Sequence, residues 1–311
     1  MNRMPDAIHV GFSKCASTFL QALFQSHPDI YLVYKSHFFS PLHRNHFDKG
    51  LDFYASFFRG AGSAQVILES DEHIVLPMLH PVTDSRATTL SGVEETVARI
   101  ARTVPHAKII LILRNQSDLI VSRYSQYLVG GGKLDFESYA AEQLACSVDG
   151  VNYYQNFYAR IIGAFHDRFP SENLLVVLQE EIRKDKRAAT GEIFRFLGVA
   201  EHCETPAGIR HQRAGLSYRG LQTIRFFNNL LVKHKQTFEL PVRTYVPQSQ
   251  YIALIRLIRL VDFYLPVRIK ASKNRLFTDG MRHRLKQLFR EDNRELSGLL
   301  ARKIDRLGYS I

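Results

Sequence analysis

Between Ile8 and His27 the chain changes character twice: a short apolar run, a cluster of small and polar residues, then apolar residues at helical spacing. This pattern predicts a buried strand, a tight turn and an amphipathic helix, with Lys14 inside the turn. A second such unit begins at Lys108, where Ile109 to Leu113 form an unbroken aliphatic run ending at Arg114. Such a run suits a strand covered on both faces, as in a parallel sheet. After it come Asn-Gln-Ser-Asp and a helical pattern carrying Leu119, Ile120, Ser122 and Tyr127, with Ser117 or Asp118 as the expected cap. A further strand is predicted at Val66 to Leu68. Tyr251 to Leu265 carries apolar residues at helical spacing with Arg256 and Arg259 among them, which fits a core-facing helix first and a membrane-surface helix second. Gly130 to Gly132, after Tyr124 and Tyr127, reads as a helix C-terminus, with a mobile aromatic edge as the alternative.

A turn of small residues leading into a helix N-terminus is anion-binding architecture, because backbone N–H groups and the positive helix end meet at one spot. The nucleotide-binding P-loop needs G-x-x-x-x-G-K-[ST]. Here Lys14 follows Gly11 by three residues and no second glycine precedes it, which disfavours a standard ATPase or GTPase loop. In Lys-Cys-Ala-Ser-Thr, Lys14 can reach a phosphate or sulfate oxygen while Ser17 and Thr18 cap the helix and donate hydroxyls. Arg114 would emerge at the carboxyl end of a central strand, where ligands of open α/β sheets gather. Its planar fork suits a phosphate. The alternative for each residue is structural: a solvated lysine in an ordinary turn, and a strand-end arginine in a salt bridge.

The Lys14 motif resembles the 5′-phosphosulfate loop of the sulfotransferases, Lys-x-Gly-Thr-[Thr/Ser]-x-Leu, with Ala16 where the family commonly has glycine. Arg114 and Ser122, eight positions apart, are similar to the family's 3′-phosphate site. Leu174 to Ile182, followed by Ile193 to Val199, is like the family's strand, acidic residue and Phe-Leu-Gly helix end, with Gly198 as a C-cap. His211 to Arg219 looks like its basic donor loop, and Leu288 to Ser297, with Gly308 and Tyr309, resembles the last helix of bacterial carbohydrate and lipid sulfotransferases. The resemblance implies an α/β fold, a central parallel sheet flanked by helices (the P-loop-NTPase-like sulfotransferase fold) with a helical C-terminal part. It implies 3′-phosphoadenosine 5′-phosphosulfate (PAPS) as donor, adenosine 3′,5′-bisphosphate (PAP) as product, and a carbohydrate or lipid-linked acceptor hydroxyl. The donor-binding residues it implies are Lys14, Cys15, Ala16, Ser17, Thr18 and Phe19, with Arg114, Ser122, Arg213 and Ser217. Backbone N–H groups from Ala16 to Phe19 would hold the 5′-phosphate, and Lys14 would stabilise the leaving oxygen. Glu180 and Glu181 are expected to be structural.

For the general base, many glycan sulfotransferases carry Lys-Glu-x-x-Phe-Phe after the first helix. Here the stretch is Tyr34-Lys-Ser-His-Phe-Phe39, with Lys35 at the glutamate position. His37 can act instead, since histidine titrates near neutrality. Glu69 and Asp71, in Glu69-Ser-Asp-Glu-His73, are the alternatives.

At 311 residues and 45% hydrophobic, with no Pro/Gly/Ser-rich linker or internal repeat, the chain is expected to form one domain over residues 1–311. No leader precedes the first strand and no apolar run reaches the roughly 20 residues that span a bilayer, so the expectation is a cytoplasmic protein, with contact at the inner face of the membrane as a further option. Three scattered cysteines, Cys15, Cys146 and Cys203, indicate neither a disulfide framework nor a zinc site, and no metal is expected. Activation of the Cys15 thiol by Lys14 and the helix end is a minor alternative. Lys plus Arg is 41 against Asp plus Glu 30, a net charge of +11 that attracts anionic donors, glycans or headgroups alike. No nucleic-acid-binding motif accompanies it. The competing functions are a nucleotide-dependent kinase with a non-standard phosphate loop and a catalytically inactive nucleotide-binding module. Oligomeric state is left open.

Overall fold

The computed structural model describes residues 3–39, 46–75, 90–145, 157–201, 215–233, 242–265 and 273–311. Five parallel strands form its centre: β1 (Ala7–Gly11), β2 (Ile30–Tyr34), β3 (Val66–Ser70), β4 (Lys108–Leu113) and β5 (Leu174–Leu178), in the order β2-β3-β1-β4-β5. The aliphatic run of β4 is buried from Ile109 to Leu113, as a strand with neighbours on both edges and both faces must be. It pairs with β1 through Ile8↔Ile109 and with β5 through Ile109↔Leu174. All five strands run the same way, so the residues after Gly11, Tyr34, Ser70, Leu113 and Leu178 emerge along one edge of the sheet.

Helices return the chain between strands, and two more come directly after the last strand. These are α1 (Ser17–Ser26), α2 (Leu51–Ser56), α3 (Leu90–Thr103), α4 (Gln116–Val129), α5 (Phe136–Ala145), α6 (Tyr158–His166), α7 (Gln179–Lys184) and α8 (Lys186–Leu197). Helix α1 buries Leu20, Leu23 and Phe24, the i, i+3, i+4 stripe of an amphipathic helix. Gly198 ends α8 at φ 82°, the left-handed C-cap expected of it. A second apolar cluster joins α4 and α5 to α9 (Tyr218–Leu231), α10 (Gln248–Tyr264) and α11 (Asp279–Leu299), the helical C-terminal part.

Several local expectations are corrected. The cap of α4 is Asn115, whose side chain accepts from the N–H groups of Ser117 and Asp118, so neither of those residues is the cap. Tyr124 and Tyr127 are buried in the second cluster and form no aromatic edge. Gly130 is the C-cap of α4. Gly132 lies under the Tyr127 ring, where an added Cβ would meet Cε1 at 2.2 Å.

The terminal motif has a physical account. Asp292 accepts from Tyr158 N at 2.8 Å and Ala159 N at 3.2 Å, satisfying the first donors of α6 from another helix. Asn293 accepts from Gln116 Nε2 at 2.6 Å, fastening α11 to the start of α4, and donates to Ser310 O at 3.0 Å.

Candidate active site

The β1–α1 turn forms a tight cradle. Lys14 (φ 68°) and Ala16 (φ 70°) both adopt left-handed backbone, and Ala16 is the N-cap of α1 without a side-chain cap bond. The expected capping by Ser17 and Thr18 is therefore not what is seen. Ser17 begins the helix and its hydroxyl donates to Phe12 O at 3.2 Å, bracing the turn. Phe19 N donates to Ala16 O at 2.9 Å, which removes its N–H from the expected phosphate-holding set. The N–H groups of Ser17 and Thr18 lead the helix, where geometry provides no intrahelical acceptor. Cys15 is fully buried, burial pushes its thiol up to about 12, and Sγ lies 3.6 Å from Ser13 O. An activated cysteine is overturned on that ground, and only the Cys15 backbone can face an anion.

Arg114 arrives at the same place from β4. Its guanidinium donates to Lys14 O at 3.1 Å and lies 3.6 Å from Asp118, while its own carbonyl accepts from Tyr158 OH at 2.6 Å. The Arg114 side chain is 11% exposed, and its buried Nε has no hydrogen-bond partner among the described residues. An orphaned donor on a fixed guanidinium beside a helix N-terminus fits a phosphate-bearing ligand. Ser122 follows, half-buried, near the second turn of α4. Tyr158 was not foreseen. It is fully buried, its ring lies tilted against Phe12 with centroids 5.4 Å apart, and its long-range role leaves no local sequence signal.

The ends of β2 and β3 complete the edge. His37 Nδ1 lies 3.3 Å from Asp71 Oδ2, and His73 Nδ1 lies 3.7 Å from Asp71 Oδ1, which also accepts from His73 N at 3.0 Å. Burial pushes the Asp71 carboxyl up, but hydrogen bonding from His37 and His73 and their imidazoles outweigh it, holding Asp71 below the usual carboxylate range. Lys35 pairs with Glu72 at 3.1 Å, and Glu72 accepts from Gln21 Nε2 at 2.8 Å. Gln21 and His9 both meet Ser70 Oγ, at 3.1 and 2.8 Å. Burial depresses the His9 imidazole to about 4, so it sits neutral in the core. Asp71, Glu72 and His73 bring metal-ligand atoms within 4.8 Å of one another, yet each is engaged in these protein contacts.

Glu69 is a different case. It is fully buried, and its oxygens accept from the hydroxyls of Ser36 and Tyr54. Burial raises its carboxyl to about 7 despite those bonds. Enclosed in this way, Glu69 cannot meet an acceptor, and the pairing of Glu69 with Asp71 as alternative bases separates into one buried acid and one residue serving two histidines. Ser217 is corrected as well: its N–H donates to Asp262 at 2.8 Å, its hydroxyl also donates to Asp262, and it caps α9. Arg213 lies outside the described residues. Glu180 accepts from Asn115 N at 2.9 Å, and Glu181 pairs with Arg302 at 3.1 Å.

Four of the five non-glycine residues with positive φ among the described residues are Lys14, Ala16, Lys35 and His37, all on this edge. Strained backbone thus gathers at one edge of the sheet, beside a guanidinium and a histidine–aspartate pair, at the edge where open α/β sheets take their ligands. A family model described as the sulfotransferase family matches residues 5–202, and the chain belongs to that family. Over 227 residues it is 26% identical to the "Bifunctional heparan sulfate N-deacetylase/N-sulfotransferase 3" of Homo sapiens, a match covering 65% of this chain and 23% of that protein's length. The crystal structure of a sulfotransferase from Alicyclobacillus acidocaldarius superposes with a TM-score of 0.59 at 18% identity, covering 98% of both chains, a likeness of fold.

Proposed function

We propose that this protein transfers the sulfuryl group of PAPS to a hydroxyl of a carbohydrate or glycolipid by in-line displacement. The observation that supports the reading is the junction of the Arg114 guanidinium with the backbone carbonyl of Lys14 at 3.1 Å, which joins the end of β4 to the turn that leads into α1. Family membership supports sulfuryl transfer, and the heparan sulfate relative supports a glycan acceptor.

PAPS, when bound, supplies an activated sulfuryl group and a phosphate leaving group. Lys14 with the N–H groups of Ser17 and Thr18 holds the 5′-phosphate, and Arg114 with Ser122 holds the 3′-phosphate. As the acceptor oxygen bonds to sulfur and the sulfur–phosphate oxygen bond breaks, Lys14 neutralises charge on the departing oxygen. His37 takes the acceptor proton. Asp71, 3.3 Å from Nδ1, fixes the imidazole so that Nε2 is the basic atom and stabilises the imidazolium that forms.

Calorimetry with PAP and with ATP tests the donor assignment. Tight PAP binding with much weaker ATP binding is expected, because only PAP offers a 3′-phosphate to Arg114 and Ser122. Preference for ATP would replace the reading with a kinase. Turnover of labelled PAPS over a panel of glycans and glycolipids tests the acceptor class, and PAP binding without turnover would mark an inactive nucleotide-binding module.

A further inference from the structure

Helix α10 buries only one stripe, Tyr251, Ile255, Ile258 and Asp262. Beyond half-buried Leu254 most of its circumference is exposed, and that surface carries six large apolar side chains: Ile252, Leu257, Leu260, Val261, Phe263 and Tyr264. Leu257 and Leu260 are each 55% exposed and Tyr264 is 75% exposed. Most of the large apolar side chains exposed among the described residues fall between Phe226 and Tyr264. A concentration of this kind on a charged protein marks a contact surface.

Its charge is of one sign. Arg256 and Arg259 stand among the exposed leucines, and Arg219 is exposed on α9, which packs against α10. Across α9 and α10 the only carboxylate is Asp262, buried beneath Ser217. The sequence then runs through Arg268, Lys270 and Lys273 before the next acid, Asp279. No described helix is long and apolar enough to cross a membrane.

We propose that the outward face of α10 seats this protein on the surface of a bilayer containing anionic phospholipid. Its leucine, isoleucine and aromatic side chains enter the headgroup–acyl boundary, and Arg256 and Arg259 lie among the phosphates. A polyanionic glycan would match the arginines but leave the apolar side chains in water. A second copy docking symmetrically would set Arg256 and Arg259 against their twins with no exposed carboxylate on the helix to answer them. This inference stands apart from the donor and acceptor assignment.

The test is flotation of the full chain with phosphatidylcholine vesicles, with and without phosphatidylglycerol. Wild type is expected to float with the anionic vesicles and, at high salt, to detach. L257S/L260S and R256Q/R259Q, all at exposed positions, should each lower the bound fraction about tenfold or more while PAP affinity and melting temperature stay at wild-type values. The chain has no tryptophan, so Leu257→Trp is a single reporter whose emission should shift to the blue on anionic vesicles. Absence of flotation at low salt, flotation undiminished in L257S/L260S, or a concentration-dependent dimer that L257S/L260S disperses would each overturn the proposal. Retention on heparin lost only in R256Q/R259Q, without vesicle binding, would overturn it in favour of a polyanion.

Discussion

Ala16 holds a left-handed conformation at φ 70° that a Cβ makes costly by about 1–2 kcal/mol. A glycine there would remove the strain and add unfolded-state entropy of roughly 0.5–1 kcal/mol. Ala16→Gly is therefore expected to be stabilising by up to about 1 kcal/mol, read as a shift in denaturation midpoint, with PAP affinity retained. Destabilisation would show that the methyl packs usefully against the turn. At the same scale, His37→Gln should lower kcat by about 10²–10⁴ with donor affinity unchanged, the usual span for a general base. Full activity in that variant would move the base elsewhere. The placement of Lys14 before a helix and of Arg114 at a strand end was legible from spacing, and the fold brings the Arg114 guanidinium to the Lys14 carbonyl. What spacing could not show is how each side chain is used. Ser17 braces Phe12, Phe19 bonds its N–H within the turn, and Glu69 lies beneath two hydroxyls. Those outcomes depend on partners distant in sequence or on backbone angles that residue types alone do not specify.

At the scale of elements, long aliphatic runs and helical stripes carried most of the information. The unbroken aliphatic run from Ile109 to Leu113 reads as a strand, and β4 spans it because both of its faces are buried. Caps were less legible, since several residues near a helix start can serve; Asn115 prevailed over Ser117 and Asp118. The cap of α6 was beyond local reading, because Asp292 supplies it from α11. Removing that carboxylate leaves two buried N–H groups without their acceptor. Asp292→Ala is expected to cost about 1–3 kcal/mol, measured by denaturant unfolding. Asp292→Asn, which keeps an acceptor, should cost less. Equal losses would mean that packing at Asp292, and not its bonds to Tyr158 and Ala159, stabilises the start of α6.

For the whole molecule, one sheet topology explains why the site lies where it does and leads to an expected dependence of stability on pH. Parallel strands deliver Lys14, His37, Asp71 and Arg114 to a common edge, and the same convergence buries a carboxyl, Glu69, beneath them. Glu69 titrates at about 7 folded against 4.5 for the ordinary group, so the native state holds its proton more tightly than the unfolded chain. Its contribution is fully present below the unfolded value and is lost as pH rises through about 7, on the order of 3 kcal/mol in all. Asp292, also raised to about 7 by burial, acts in the same direction. Asp71 acts in the opposite one: its depressed carboxyl contributes above its unfolded value and loses that contribution as the solution becomes more acidic. Glu69→Gln keeps an acceptor and a donor for Ser36 and Tyr54 but cannot ionise. Urea midpoints measured at about pH 5 and about pH 8 should then fall less in Glu69→Gln than in wild type, with the variant the more stable of the two at the higher pH. An unchanged slope would show that Glu69 is already ionised in the folded protein across this range, and that the two hydroxyls, not a proton, balance its burial.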